Sequence, residues 1–293
     1  MGEKGGAESP VVKVTFTNGD VSYVKRDTII YALQQIHTSI GHAMGHIVYK
    51  SAIRWFKCHG LLNLCKVACS TCVCKLVKPN VGKASELGSF ERPPCANYSV
   101  HIDTYDTEVP AIWNGRKVRY IQVRVDPFNN RIGATILKDK SAPEAWEAFH
   151  RDHVKIYGKP NTVHIDTGNE FRGEFTINLM REGIAQTLRA VARGQSNAKA
   201  ERVQGEIGPA LYAEIKERGM NNKEWPKVLS LVIDKLNRRP NMQGGPSAYE
   251  NVNGSPPYFS AIDFLHSFSK THKVKLPVQK YKIGEKVKFY TTI

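Results

Sequence analysis

The chain has 293 residues, of which 41% are hydrophobic, so it is long enough to bury two or three small cores. It carries 42 Lys and Arg against 27 Asp and Glu, a formal net charge of +15, which favours an anionic partner and nucleic acid in particular. No apolar run approaches the ~18–20 residues of a membrane span, and the first residues do not resemble a signal peptide. We therefore expect an intracellular protein without a membrane segment.

The first predicted element is a β-hairpin. Two alternating, β-rich runs flank Asn18-Gly19-Asp20, which is a strong signal for a tight turn. Asp27 is then expected to cap an apolar helix over the sequence TIIYALQQIH, and two further helices are expected at about 43–56 and 61–68. We assign residues 1–26 to a hairpin extension and residues 27–76 to a small helical domain.

Histidines and cysteines are concentrated in this helical domain. Five of the six cysteines fall within the 17 residues from Cys58 to Cys74, too close together for a disulfide framework, so metal ligation or free thiols are expected. One arrangement is H-x4-H-x26-C-x2-C, whose neutral imidazoles and thiolates suit one tetrahedral, structural Zn²⁺. Its four ligands would be His37, His42, Cys69 and Cys72.

Two alternative zinc sites remain open from the spacing. His46 can replace His37, which gives H-x3-H-x22-C-x2-C with the same two cysteines. An all-sulfur site can instead be formed from a set of four thiols, namely Cys65, Cys69, Cys72 and Cys74.

Residues 77–96 are rich in Pro, Gly and Ser and are assigned to a linker. From Tyr98 the pattern changes to strands: SVHIDTY, KVRYIQVRVD and RIGATILKD precede a helix that Ser141 caps, with Glu144 completing a capping box. TVHID and IAQTLRAVA follow as a fourth and a fifth strand, and helices are expected at about 198–218 and 224–237. This order predicts an α/β fold over residues 97–255, with a mixed five-stranded sheet flanked by helices.

Three acidic residues lie on these elements where a metal site needs them. Asp103 lies inside a strand, Asp166 ends a strand, and Glu201, with 34 residues between it and Asp166, falls in the first turn of a helix. Phosphodiester chemistry with two divalent cations about 3.5–4 Å apart needs several converging carboxylates. Taken singly, each residue also suits a solvated acid, and there are four nearby competitors, namely Asp106, Asp126, Glu170 and Glu206.

The end of the chain, residues 256–293, is predicted to be a basic tail. Seven lysines lie between Lys270 and Lys288, interrupted by only one acid, Glu285. Such a segment suits a non-specific, salt-sensitive contact with a DNA backbone, although a solvated flexible tail has the same composition.

Three segments in this order carry a family resemblance: HIDTGNEF, QSNAKAERVQGEI and NRRPNMQGGPSAYENVNG. Over about residues 20–255 the chain resembles the integrases of retroviruses and LTR retrotransposons, the gypsy-type elements in particular. The resemblance implies a ribonuclease-H-like catalytic core behind a His-His-Cys-Cys zinc domain. It favours His37 over His46, because HTSIGH matches the letters around the first two zinc ligands. YKIGEKVKFY resembles the opening strand of the SH3-like domain that follows in this family.

The resemblance also implies an activity. Asp103, Asp166 and Glu201 would bind two Mg²⁺ or Mn²⁺ ions, trim a DNA 3′ end and join it to target DNA. Residues 194–199 would form a mobile loop beside this site. Integrases act as multimers on nuclear DNA, so a dimer or tetramer and a nuclear location are expected. The expected DNA contacts are Asn197, Lys199, Arg202, Lys280, Lys282, Lys286 and Lys288.

The sequence departs from the family pattern at a few positions. Thr167 stands where many relatives have Asn, and Gly205 and Gly208 stand where relatives often have basic residues. Two other functions are compatible with the pattern. One is a domesticated relative that only binds DNA or chromatin, and the other is a different ribonuclease-H-like nuclease or transposase.

Overall fold

The chain folds around two sheets of unequal size. The computed structural model describes residues 10–76, 93–188, 198–240 and 245–271. The smaller sheet belongs to the N-terminal part, and its strand order is β2 (Val21–Lys25), β1 (Val11–Phe16) and β3 (Phe56–Cys58). The strand order of the larger sheet is β6 (Ile132–Leu137), β5 (Arg116–Val125), β4 (Ser99–Trp113), β7 (Thr162–Ile165) and β8 (Ala185–Leu188).

The predicted hairpin is confirmed. Strand β1 (Val11–Phe16) pairs with the antiparallel strand β2 (Val21–Lys25), and Gly19 adopts the positive φ of 92° that the turn requires. A strand that the sequence did not indicate, β3 (Phe56–Cys58), pairs with the other edge of β1. The helix predicted at 43–56 is therefore shorter than expected, because Phe56 lies opposite Phe16 in the sheet and is fully buried there.

Three helices follow or interrupt these strands: α1 (Arg26–Ser39), α2 (Gly45–Ala52) and α3 (Leu61–Ser70). The prediction that Asp27 caps the first helix is wrong. Lys25 occupies the cap position without a side-chain hydrogen bond, and Asp27 lies in the first turn, where its charge still favours the helix dipole. A short 3-10 helix (Val73–Leu76) ends the segment.

A helix from the far end of the chain completes this N-terminal core. Helix α10 (Ser260–Thr271) packs against α1 and β2, and its Ile262 and Leu265 share one hydrophobic core with Ile29 and Leu33 of α1. Each such aliphatic side chain contributes about 1.5–3 kcal/mol by its burial. The hairpin, the small helices and part of the predicted tail thus fold together, while the division of the chain into domains stays a prediction.

The larger sheet has the predicted composition and is mixed. Strands β4, β5 and β6 are antiparallel, whereas β7 and β8 run parallel to β4. The turn between β4 and β5 contains Asn114 and Gly115, both at positive φ, as a tight hairpin turn requires. The strands are β4 (Ser99–Trp113), β5 (Arg116–Val125), β6 (Ile132–Leu137), β7 (Thr162–Ile165) and β8 (Ala185–Leu188).

Helices cover both faces of this sheet. On one face lie α4 (Ala142–Phe149), its π-helical continuation (His150–Val154), the short α5 (Lys155–Tyr157) and α6 (Glu174–Arg181). On the other face lie α7 (Ala198–Glu217) and α8 (Trp225–Asn237), and α9 (Ala248–Asn253) follows them in the chain. The predicted fold class, a mixed five-stranded sheet flanked by helices behind a small helical unit, is therefore confirmed. Within the described ranges, no helix is long and apolar enough to span a bilayer.

Ser141 caps α4 as predicted, since its side chain accepts a hydrogen bond from the Glu144 backbone N–H at 3.4 Å. The reciprocal hydrogen bond of a capping box, from the Ser141 N–H to the Glu144 carboxylate, is replaced by two others. The Glu144 carboxylate accepts from the Lys138 N–H, and the Ser141 N–H donates to Asp139.

Alternation along the strands decides which helices face the proposed site. Asp103 lies directly opposite Val123 in the β4–β5 pair, and Val123 belongs to the core beneath α7 and α8. Ile102 belongs to the core beneath α4 and α6. Since successive side chains point to opposite faces of a sheet, Asp103 faces α7, the helix that carries Glu201.

Candidate functional site

Two of the three predicted metal ligands follow paired residues of two adjacent strands. Strands β4 and β7 are parallel and pair His101 with His164. Asp103 and Asp166 each follow two residues later, Asp103 within β4 and Asp166 one residue past the end of β7. The charges of both carboxylates act on Lys140, although Asp103, Asp166 and Glu170 are not among the groups of described side chains whose ligand atoms all lie within 4.8 Å of one another.

The paired residues His101 and His164 also contact each other through their side chains. Their rings are stacked with centroids 4.6 Å apart. Burial lowers the pKa of His164, which favours a neutral ring next to His101. The stacked rings thus lie two residues before Asp103 and Asp166 on the two strands.

The loop after β7 adds a third carboxylate. The Gly168 N–H donates a hydrogen bond to Asp166 Oδ1 at 2.8 Å. A Cβ atom at Gly168 would lie 2.6 Å from Glu170 Oε2 and 2.9 Å from Asp166 Oδ1, so both carboxylates approach the same point of the backbone. Only glycine leaves room for this approach. Glu170, which the sequence offered only as a competitor of Asp166, is buried beside it.

Lys140 is the cation of this acidic group. Its Nζ lies 3.1 Å from Glu170 Oε1. Burial disfavours the charged form of Lys140, but the hydrogen bond to Glu170 and the charges of Glu170, Asp166 and Asp103 outweigh it and raise the pKa of Lys140. One ammonium group therefore interacts electrostatically with all three carboxylates. Sequence reasoning missed this residue, because a lysine in a turn before a helix carries no distinctive pattern.

The third predicted ligand, Glu201, lies in the first turn of α7, although its side chain is outside the described part of the structure. The helix approaches β4 closely at Gly208, where an added Cβ would lie 2.6 Å from the Tyr105 hydroxyl. Tyr105 is two residues after Asp103 and on the same face of β4. Position 201 precedes Gly208 by about two turns of the same helix.

The glycine at 208 has a steric explanation. The sequence suggested only that a basic side chain is missing there, compared with the family pattern. In the structure, α7 approaches β4 so closely at this position that a side chain would collide with Tyr105.

Three of the competing acids have other partners. Asp106 forms two hydrogen bonds with Arg119, at 2.7 and 2.8 Å, which lower its pKa. Asp126 is 2% exposed and accepts hydrogen bonds from the backbone N–H groups of Asn97 and Phe128. The third of these acids, Glu206, is paired with Arg239 at 2.7 Å. These carboxylates serve the fold.

Most of the predicted DNA contacts cannot be placed. Asn197 lies outside the described residues, as do Lys280, Lys282, Lys286 and Lys288, and the same holds for the side chain of Lys199. Arg202 is described. It is 57% exposed on α7 and lies 3.8 Å from Glu206, so its guanidinium is accessible to a ligand.

A second cluster lies in the N-terminal unit. Among the described residues, four side chains can place ligand atoms within 4.8 Å of one another: His37, His42, Cys72 and Cys74. The distance from His42 Nδ1 to Cys72 Sγ is 3.3 Å, and that from His37 Nε2 to Cys74 Sγ is 3.4 Å. Two imidazoles and two thiols at this separation are the donor set that tetrahedral Zn²⁺ prefers.

The protonation of this cluster suits a metal. Burial, reinforced by the charges of His37 and Lys235, lowers the pKa of His42 to about 3, so its imidazole is neutral. Burial also lowers the pKa of His37. In the absence of a cation, burial and the neighbouring Cys72 raise the pKa of Cys74 to about 12. A bound Zn²⁺ would instead stabilise the thiolate, since metal binding releases the thiol proton.

The predicted ligand Cys69 lies on the other side of the His37 ring. Its Sγ is 3.3 Å from His37 Nδ1, but that nitrogen is also 2.8 Å from the Ala43 carbonyl oxygen. A carbonyl at this distance fixes the N–H on Nδ1 and leaves Nε2, which faces Cys74, as the ligand atom. Sequence reasoning considered Cys74 only within the all-sulfur set, because the C-x2-C spacing favours Cys69 and Cys72.

The alternative sets are not assembled in the described part of the chain. The cluster contains His37 and not His46. Cys65 is fully buried in the apolar core, and burial raises the pKa of its thiol to about 12. That environment is typical of a structural cysteine.

Comparison with known proteins gives matches among solved structures. No protein-family model matches the chain, and no curated protein sequence matches it. The HTLV-2 integrase catalytic core domain in complex with magnesium is 18% identical, with a TM-score of 0.43, over 54% of this chain and 98% of that one. The simian T-cell lymphotropic virus intasome in complex with a PP2A regulatory subunit is 15% identical, with a TM-score of 0.49, over 85% and 77%.

A further match is the catalytic core domain of BIV integrase, which is 19% identical, with a TM-score of 0.39, over 60% of this chain and 98% of that one. These solved structures are two integrase catalytic core domains and an intasome, and a particular kinship with gypsy-type elements stays a prediction.

Proposed function

We propose that this chain is a retroelement integrase, a divalent-metal-dependent polynucleotidyl transferase that trims a DNA 3′ end and joins it to target DNA. The observation that supports the proposal is the register of β4 and β7, which pairs the residues two positions before Asp103 and Asp166. Asp103 faces α7, whose first turn carries Glu201. A single acidic residue inside a strand is costly, and two in matching positions are explained by a shared cation.

In this proposal, Asp103, Asp166 and Glu201 hold two Mg²⁺ or Mn²⁺ ions. Such a metal pair activates the attacking oxygen and stabilises the leaving oxygen of an in-line displacement. The buried Glu170 positions the Lys140 ammonium next to the Asp residues, which balances their charge. Gly168 lets the loop carry Asp166 and Glu170 at close range.

The His and Cys cluster is proposed to hold one structural Zn²⁺. His37, His42 and Cys72 are three of its ligands, and the geometry favours Cys74 over Cys69 as the fourth. A closed site with four protein ligands has no open position for a substrate, so its role is to stabilise the N-terminal unit.

DNA is the proposed partner, both as the element end and as the target. The net charge of +15 supports this, as does the exposed Arg202 one position after Glu201. A homodimer or homotetramer and a nuclear location belong to the same proposal.

A strand-transfer assay tests the proposal. Purified full-length chain is incubated with Mn²⁺, a short blunt DNA duplex and a target plasmid. Joined products are expected from the wild type and from an Asp106→Asn variant, since Asp106 is engaged by Arg119. No joined products are expected from Asp166→Asn or Glu201→Gln, although both should fold and bind DNA.

The same assay separates the alternatives. DNA binding without any reaction in the wild type would support a non-catalytic DNA-binding relative. Cleavage without joining would support a different nuclease of this fold. Unchanged joining in both Asp166→Asn and Glu201→Gln would rule out the proposed metal site.

A further inference from the structure

The C-terminal end of α7 lies against the His and Cys cluster. The 3-10 helix that contains Cys74 packs on α7, and Glu214 and Glu217 in the last turns of α7 approach His42. The His42 side chain is only 2% exposed. The cluster is therefore enclosed by two parts of the fold, the N-terminal unit and the helix that begins near Glu201.

The two nitrogens of His42 face different groups. Nδ1 is 3.3 Å from Cys72 Sγ, which makes it the atom that faces the zinc site. Nε2 is 3.6 Å from Glu217 Oε2. Within the described part of the chain this buried Nε2 has no hydrogen-bond partner. If Nδ1 binds a metal, the proton of the neutral ring must reside on Nε2, and a buried N–H requires an acceptor.

Glu217 is the better of the two acceptors near His42. Glu214 is 2% exposed, and both of its oxygens are engaged, one by Arg218 at 2.7 Å and the other by Lys235 at 2.5 Å. In the described structure, neither of these cations is within ion-pair distance of Glu217, whose side chain is 32% exposed and can rotate. A shift of less than 1 Å would bring its carboxylate into hydrogen-bond distance of Nε2.

We propose that Glu217 is a positioning residue for the zinc site, accepting the Nε2–H of His42 when Nδ1 binds the metal. A metal-bound histidine commonly donates its second N–H to a carboxylate, which fixes the ring and strengthens the ligand. Here that carboxylate comes from the core helix α7, so zinc occupancy is linked to the packing of the N-terminal unit on α7. The inference rests on the zinc site of the proposed function and does not depend on which cysteine is the fourth ligand.

Zinc affinity of the full-length chain, measured by competition with a chromogenic chelator in the absence of DNA, tests this role. Glu217→Ala should weaken zinc binding about 10–100-fold, the usual effect of removing such a partner. Glu217→Gln keeps an acceptor oxygen and should recover most of the affinity. Glu147→Ala is the control, because that carboxylate is 71% exposed on α4 and far from the cluster.

Co²⁺ provides a second readout that a purely structural role would not change. The visible absorption of the Co²⁺-loaded protein should shift in Glu217→Ala and return in Glu217→Gln. The increase in melting temperature on adding Zn²⁺ should shrink in the alanine variant, while the melting temperature without metal stays close to that of the wild type.

Several results would overturn the inference. These are wild-type affinity in Glu217→Ala, an equal loss in the Glu147→Ala control, or no recovery by glutamine. A wild-type chain that binds no zinc would overturn it together with the zinc site. Because DNA joining is measured separately, none of these results depends on whether the proposed enzymatic activity is present.

Discussion

The acidic site and the His and Cys cluster are both proposed to bind metals, but they are assembled by different means. Asp103 and Asp166 come from two strands far apart in the chain, and the register of a parallel strand pair aligns them. The ligands of the cluster come from residues 37–74 and lie between the N-terminal unit and the C-terminal end of α7. The first site lies on strands of the five-stranded sheet, whereas the second connects the end of α1 to the short 3-10 helix, so metal binding is expected to stabilise the N-terminal unit.

This difference predicts opposite consequences of losing a metal ligand. In the acidic site, removing a carboxylate should remove activity and spare stability, because like charges repel one another there. In the cluster, removing a thiol should lower stability.

Asp103→Asn should lower the rate of DNA joining by at least about a hundredfold, the scale of losing one group that stabilises developing charge. The melting temperature should stay the same or rise, since a neutral side chain relieves repulsion with Asp166. Strand transfer with Mn²⁺ and thermal unfolding measure the two effects. A variant that joins DNA at the wild-type rate would contradict the shared-cation site.

Cys72→Ser should release the zinc and lower the melting temperature by several degrees, since about 1 kcal/mol corresponds to roughly 2–4 °C in a chain of this order of size. The Cys69→Ser and Cys74→Ser variants then distinguish the fourth ligand. Cys74→Ser should behave like Cys72→Ser, because Cys74 faces the ligand nitrogen of His37. Zinc content measured by atomic absorption identifies the fourth ligand. A loss of metal in Cys69→Ser alone would show that Cys69, and not Cys74, is that ligand.

Gly208→Ala should destabilise the protein by about 1–3 kcal/mol, the usual cost of overpacking. The new methyl group would lie 2.6 Å from the Tyr105 hydroxyl and force α7 away from β4. DNA joining should fall as well, because α7 carries Glu201. The double variant Tyr105→Phe/Gly208→Ala removes the clashing oxygen and should regain stability in denaturant unfolding. If the second change gives no recovery, the contact does not set the helix position.

Lys140→Gln should have the smallest effect, and it should strengthen metal binding instead of weakening it. Its ammonium competes with divalent cations for Asp166 and Asp103, so its removal should tighten Mn²⁺ binding. Lys140 is 44% exposed, and ion pairs at that exposure contribute only about 0.2–1 kcal/mol, which corresponds to less than about a sixfold change in affinity. Lys138→Gln is the matched control, as its Nζ lies 3.9 Å from Asp139. Weaker Mn²⁺ binding in Lys140→Gln would show that Lys140 supports the site.

Much of the larger sheet could be predicted from the sequence, because alternation and turn residues are local signals. The strand positions of Asp103 and Asp166 were visible as acids in apolar runs. Glu170 and Lys140 were not recognised, since their importance comes from the fold of a loop around Gly168. Strand β3 was hidden for a related reason. Phe56 suits a helix or a strand equally, and its pairing with Phe16 is a tertiary effect.

The ligands of the zinc cluster could also be predicted only in part from the sequence. Spacing indicated the kind of metal and a set of candidate ligands but could not choose between Cys69 and Cys74. That choice depends on which nitrogen of His37 the Ala43 carbonyl engages. Likewise, nothing local in the sequence connects Glu217 with His42, because they belong to different parts of the fold.

Helix α10 has a consequence for how the protein is made. The contact between Asp20 and His266 joins positions 246 residues apart, and Leu265 fills the core beside the first helix. At about 5–20 residues per second, a ribosome needs roughly 10–50 s to synthesise that interval. During this time the nascent N-terminal unit has an uncovered apolar surface. Chaperone binding to the growing chain, or early capture of Zn²⁺, would protect it until the missing helix emerges.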